Sequence, residues 1–195
     1  MRFRRLASFL FVVATLSLGA SLAQAAAPED TMIITLKDGD VTIALRPDLA
    51  PKHVEQIKAL VREGAYDNVA FHRVIDGFMA QTGDMQFGDM KDGFDAGSAG
   101  MGGSDKPDLP AEFSAEPYER GIVGMARSQD PNSANSQFFI MLAANPGLNG
   151  QYTVVGNVES GMELVDNIKK GDQANNGSVS DPDRMIKVRI AADGK

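Results

Sequence analysis

The chain contains no cysteine and no tryptophan, and only two histidines and three tyrosines, in 195 residues. Without cysteine there is no disulfide framework, no thiol nucleophile and no thiolate metal site, so stability must come from an apolar core. Basic stripes and arginine-rich runs are also missing, and the formal net charge is −7. An acidic surface argues against nucleic acid and anionic membranes as partners. No internal repeat or low-complexity tract marks a second domain.

What is present begins with a processing signal. Met1 to Arg5 is basic, Leu6 to Leu18 is apolar apart from small Ser and Thr, and Ala23-Gln24-Ala25 has the small-x-small pattern of a cleavage site. Residues 1–25 therefore read as a secretory signal peptide. The run is short for a membrane anchor, which needs about 20 apolar residues. Removing 25 of 195 residues leaves a 170-residue domain, 26–195. The leader takes three of the 19 basic residues and none of the 26 acids, so the mature formal charge is −10. A domain of that size can bury a sufficient core on its own.

Along the domain, Thr31–Leu36 and Val41–Leu45 alternate as a hairpin, with Asp38-Gly39 expected in the turn. Pro51–Arg62 places Val54, Ile57, Leu60 and Val61 at helical spacing, with proline in the first turn and Gly64 as the stop. His53 on this helix is expected to be solvated. Met85–Pro110 is rich in Gly and Asp, but no Gly-Lys-Ser/Thr completes a phosphate loop. Asp84, Asp89, Asp92 and Asp95 lack the ligand order of a calcium loop, which leaves a long irregular loop beside a site. Gly121–Ala126, Gln137–Leu142, Tyr152–Val158 and Met185–Ile190 read as strands, Gly161–Lys170 as a second helix, and Arg127–Ser136 and Gly171–Asp183 as loops. Eight or so strands with two separated helices predict a mainly β protein, a closed antiparallel barrel without free edges.

The stretch Tyr66 to Asp84, YDNVAFHRVIDGFMAQTGD, concentrates the chemistry. Two short β-type runs, Val69–Ile75 and Phe78–Gln81, flank Asp76-Gly77, a turn pair that supplies positive φ. Alternation puts Phe71, Arg73 and Ile75 on one face, His72 and Val74 on the other, and Met79 and Gln81 together. A charged residue among apolar neighbours is seldom placed there for solubility, so Arg73 is the candidate donor over an apolar floor. Met79 and Phe139, in QFFIML, also fit ordinary core. His72 could suggest a general base, but no Ser or Cys partner stands out, and a hydrogen-bonded structural role is expected.

This stretch and a second block, GIVGMARSQDPNSANSQFFIMLAANPGLNGQYTVVG from Gly121 to Gly156, together resemble the cyclophilins, the peptidyl-prolyl cis-trans isomerases. The resemblance implies an eight-stranded barrel capped at its ends by two helices. It implies rotation of X-Pro bonds with Arg73 and Gln81 as catalytic residues and no metal or cofactor. Phe78, Met79, Phe139 and Leu148 would line a proline pocket, and backbone around Ala126 and Arg127 would hold the substrate chain, with Gln137 and Tyr152 beside it. Gly147 stands where many members carry Trp, Tyr152 where many carry His, Arg127 where an Asn follows Met-Ala, and Asp76 where a Pro sits in the turn. These departures bear on cyclosporin binding and pocket detail, and they look like those of bacterial exported members. The expected partners are proline-containing unfolded or newly exported polypeptides, with no nucleic acid and no membrane after cleavage. The expected form is a monomer in the periplasm. A non-enzymatic module gripping proline segments is the competing reading, and an intact Arg73 favours the enzyme.

Overall fold

Alternation in the first two strands decides where the core lies. β1 (Thr31–Leu36) and β2 (Gly39–Leu45) pair antiparallel and turn Met32, Ile34, Val41 and Ile43 inward. The computed structural model describes residues 26–91 and 93–194; the predicted leader, Met1–Ala25, and Asp92 lie outside them. Leu36 pairs with Gly39, so the turn residues are Lys37 and Asp38, one position earlier than expected. Gly39 instead opens β2 at φ 147°, and a Cβ there would sit 3.1 Å from Leu164 Cδ1.

α1 (Pro51–Arg62) has the predicted bounds and buries Val54, Ile57, Leu60 and Val61. Its N-cap residue, Ala50, offers no side-chain acceptor. Glu112 supplies one from across the fold, accepting from the Lys52 and His53 backbone N–H groups at 3.3 and 3.1 Å. A carboxylate suits this end, where free N–H groups and the helix dipole are positive. His53 is fully buried, not solvated as its position suggested, and its Nδ1 lies 2.7 Å from the same carboxylate. Burial raises the Glu112 pKa, but the hydrogen bonds from His53 and the helix terminus outweigh it, and the net shift is downward.

The remaining elements are β3 (Arg73–Ile75), β4 (Met79–Thr82), β5 (Ile122–Met125), β6 (Phe138–Met141), β7 (Val154–Ser160), α2 (Met162–Asp166) and β8 (Lys187–Ile190). All eight strands form one antiparallel sheet in the order β3-β4-β6-β5-β7-β2-β1-β8. The expected closed barrel is not formed: β3 and β8 are the two edges and do not pair, so the sheet is an open half-barrel. Val69 and Ala70 make only isolated bridges, which shortens the predicted strand Val69–Ile75 to three residues. Irregular chain fills the seam through single bonds, Phe71 N–H to Asp183 O (2.8 Å), Val179 N–H to His72 O (3.0 Å) and Val74 N–H to Gly177 O (2.8 Å). α2 has five residues where ten were expected, because Ile168 drops into the core and the Lys169 N–H is taken by Asp183.

Side chains on the middle strands are buried on both faces. Ala80, Val123, Met125, Phe138 and Ile140 join the main core, with residues of both helices. Their alternates Met79, Ile122, Phe139 and Met141 form a second cluster on the opposite face. Two-sided burial explains why these strands read as near-continuous apolar runs. Phe71, expected beside Arg73, belongs to the main core, because residues 71 and 72 do not hold strand geometry.

The Gly- and Asp-rich stretch after β4 is organised by one carboxylate. Asp84 is fully buried; its Oδ1 accepts from the Gln86 and Phe87 N–H groups, and its Oδ2 from those of Gly100 and Gly102 at 2.7 and 3.0 Å. A Cβ on Gly102 would overlap Asp84, Gln86 and Phe87. The glycines permit this close approach, and Asp84 is committed to backbone.

Asp84→Ala should strand four donors around a void. Hydrogen bonds to a charged group contribute about 1.5–3 kcal/mol each, not fully additively, so a loss of at least about 3 kcal/mol in urea unfolding is expected. Asp105→Ala, at an exposed position, should change stability by no more than about 0.5 kcal/mol. Equal effects of the two would remove Asp84 from its central role.

Candidate active site

The β3–β4 hairpin sets the geometry. Its loop is Asp76-Gly77-Phe78, with Gly77 at φ 67° and the Phe78 N–H bonded to Ile75 O at 3.0 Å. The register places Arg73 opposite Gln81 and Ile75 opposite Met79. Cross-strand partners share a face, so the guanidinium, carboxamide and thioether converge. Arg73 Nη1 donates to Gln81 Oε1 at 3.1 Å and lies 3.8 Å from Met79 Sδ.

Two further contacts hold this group from either side. Gln81 Nε2 donates to Gln137 Oε1 (2.9 Å), whose Nε2 donates to the carbonyls of Gly100 and Gly102 at 3.0 and 2.8 Å. Across the guanidinium, Arg73 Nε donates to Asn176 O (2.9 Å) and Nη2 to Asn176 Oδ1 (3.0 Å). Burial lowers the Arg73 pKa from its ordinary value, with Tyr152 acting in the opposite sense. An arginine stays protonated under such conditions.

Arg73 and Gln81 border a cavity of about 140 Å³ that also brings together Phe78, Met79, Phe139 and Leu148, with Ala126, Arg127 and Tyr152 around the rim. Phe139 is 5% exposed and Met79 1%, so each is both packed and pocket-facing. Tyr152 meets the Phe139 ring edge-on at 5.8 Å, and the Arg127 guanidinium carbon lies 4.6 Å from the Tyr152 ring centre. The Ala126 N–H is already bonded to Gln137 O at 2.9 Å, so this one of the expected backbone groups is occupied. Gln137 does not line the small cavity; it faces an adjoining polar cavity of about 500 Å³ that shares Gln81, Ala126 and Arg127.

Two contributors escaped the sequence reading. Tyr118 stacks beneath Phe139 at 5.9 Å, and Gly124 makes room: a Cβ there would lie 2.5 Å from Tyr118 Oη and 2.7 Å from Phe139 Cζ. Tyr118 sits in irregular chain with no periodicity to flag it. Asn176 looked like one of many polar loop residues; its signal was the Asn176-Gly177 pair, both of which adopt positive φ. His72 is buried, but the expected hydrogen bonds are not made: among the described residues neither ring nitrogen has a partner, and the ring packs on Gly100. Burial lowers its pKa from the ordinary value of 6.5, against an upward pull from Asp84.

A family model described as cyclophilin type peptidyl-prolyl cis-trans isomerase matches residues 31–190. A Brucella suis protein named probable peptidyl-prolyl cis-trans isomerase is 66% identical over 196 residues, covering all of both chains. An Aspergillus oryzae protein named peptidyl-prolyl cis-trans isomerase-like 1 is 34% identical, across 80% of this chain and 92% of its own. Among solved structures, a cyclophilin from Hirschia baltica matches with a TM-score of 0.74 and 25% identity, over 88% of this chain and 77% of that one. A cyclophilin-type isomerase from Cryptosporidium parvum, solved in the presence of the dipeptide Ala-Pro, matches with a TM-score of 0.69 and 28% identity, over 82% and 98%.

His72 gives the fold a pH signature. Its lowered folded pKa means that the unfolded chain binds the extra proton first. Stability from this residue is therefore fully present above pH 6.5 and falls as pH drops from there toward the depressed folded value. Urea midpoints measured between pH 7.5 and about 5 should show this decline, and His72→Gln should flatten it. An unchanged slope in the variant would assign the decline elsewhere.

Proposed function

The chain belongs to the cyclophilin-type peptidyl-prolyl cis-trans isomerase family, and on that premise we propose that it turns X-Pro bonds in unfolded and newly exported polypeptides, with the prolyl ring seated between Arg73 and Phe139. The barrier to peptide rotation is about 18–20 kcal/mol, and uncatalysed X-Pro exchange takes tens to hundreds of seconds. No bond is made or broken. As the bond twists, amide resonance is lost and the prolyl nitrogen regains a lone pair. A donor directed at that nitrogen binds the twisted state better than either planar isomer, and only such differential binding accelerates the step.

One observation carries this reading: Arg73 is held by Gln81 and Asn176 at the edge of a cavity with apolar walls, with one Nη2 N–H to spare. The cavity is well below the 300–1,000 Å³ of drug-sized sites and suits one small ring. Met79, Phe139 and Leu148 supply apolar walls for that ring, Tyr152 backed by Arg127 closes the rim, and Gln81, Ala126 and Arg127 border both this cavity and the polar one. The polar cavity is open to residues preceding the proline.

Export is part of the same proposal. The basic, apolar and Ala-x-Ala segments of residues 1–25 direct the chain to the periplasm, where no cysteine is needed because the core is self-sufficient. Intact-mass analysis of exported protein should show a chain beginning at Ala26. A membrane-bound form that keeps Met1 would overturn the assignment.

The isomerase reading is tested at Arg73. Loss of one preorganised transition-state donor lowers kcat by about 10²–10³-fold, and Arg73→Ala should do so with unchanged unfolding behaviour. Arg73→Lys should recover little, since a point charge lacks the planar fork. The unmodified rate should be nearly flat between about pH 7 and 9, because no general acid or base takes part. A folded Arg73→Ala that keeps most of its activity defeats the mechanism.

A further inference from the structure

An arginine has five N–H donors, and four of those on Arg73 are spent in the free protein: Nε on Asn176 O, one on Nη2 to Asn176 Oδ1, and the two on Nη1 to Gln81 Oε1 and, more weakly, Met79 Sδ. Gln81 alone, on the facing strand, leaves the guanidinium free to swing about that single bond. Asn176 presents two acceptors to the Nε–Nη2 edge, which is the bidentate geometry that fixes a guanidinium in its plane. Because arginine cannot accept a hydrogen bond, the carboxamide must turn its oxygen toward Arg73.

The loop carrying Asn176 is fastened to the strand that carries Arg73. Val74 donates to Gly177 O at 2.8 Å and accepts from the Gly171 N–H at 2.9 Å, on either side of the turn. Within the turn, the Gly177 N–H returns to Asp172 O at 2.8 Å and the Ser178 N–H to Asn175 O at 3.0 Å. Asn176 itself sits at φ 52°, a left-handed conformation that a short polar side chain tolerates and most residues do not. An exposed asparagine at such a position is ordinarily just a turn residue. Here its backbone carbonyl and its side-chain oxygen both meet one guanidinium.

We propose that Asn176 is a positioning residue for the isomerisation: it holds the Arg73 guanidinium in the plane from which the remaining Nη2 N–H reaches the prolyl nitrogen. The proposal rests on Arg73 being the transition-state donor. Asn176 touches neither the pocket floor nor the proline; it acts through the orientation of Arg73. Its loss should therefore appear in the chemical step and leave ground-state binding nearly unchanged.

Asn176→Gly is the informative variant, because glycine accepts positive φ and keeps the backbone carbonyl while removing the side chain that carries Oδ1. In an isomerase assay on a prolyl peptide, kcat should fall about tenfold with KM within about twofold. In the Arg73→Ala background the same change should cost nothing further. Full kcat in Asn176→Gly beside a severely impaired Arg73→Ala overturns the role of Asn176 and leaves that of Arg73 intact. An equal loss in both backgrounds shows a structural effect and also overturns it. Activity retained in Arg73→Ala would instead bring down the underlying reading.

Discussion

A guanidinium half out of water keeps one orientation only when its spent donors meet acceptors that are themselves fixed. Around Arg73 those acceptors come from parts of the chain far apart in sequence. On one side, Asp84 gathers the Gly100 and Gly102 N–H groups, the carbonyls of those glycines hold Gln137, Gln137 holds Gln81, and Gln81 holds Arg73. On the other side, Asn176 is anchored through Gly177 to Val74, the residue after Arg73. A buried carboxylate is thus linked to an exposed loop through the side chains of Gln137, Gln81, Arg73 and Asn176. Such networks are stiff when complete and fail at any unpaired member.

The sheet makes room for this network by burying both faces of its middle strands. Residues such as Phe138 and Ile140 fill the half-barrel, while their neighbours Phe139 and Met141 turn outward and are roofed by Tyr118 and Tyr152. The second cluster forms the floor of the small cavity beside Arg73. A pocket on the outside of a sheet normally stays wet; here Gly124 lets an aromatic layer settle against the strands.

Much of this was legible in local pattern. α1 and β1 follow from spacing, proline and alternation, whereas the ten site residues, nine of which border one cavity, came mostly from the family resemblance. What escaped depends on contacts distant in sequence. His53 looks exposed on a helix wheel because Glu112, which draws it inward, lies 59 residues away. The barrel was expected to be closed from its count of about eight strands and two separated helices, yet Phe71 enters the core, the long strand Val69–Ile75 shrinks to three residues, and β3 and β8 remain as edges. Asn176 carried no chemistry of its own until the fold brought it to Arg73, 103 positions earlier in the chain.

The strand order also fixes when this molecule can finish folding. β1 lies between β2, its immediate successor, and β8, the last strand of the chain, so Ile33 finds its second partner only at Arg189. The seam beside β3 is filled by the chain just before β8. A polypeptide delivered from its N-terminus can therefore pair β2 with β1 early, but one edge of β1 stays bare until nearly the whole chain has arrived. Non-local pairing of this kind is slow to form. The interval in which this fold is itself unfinished therefore lasts almost as long as its synthesis.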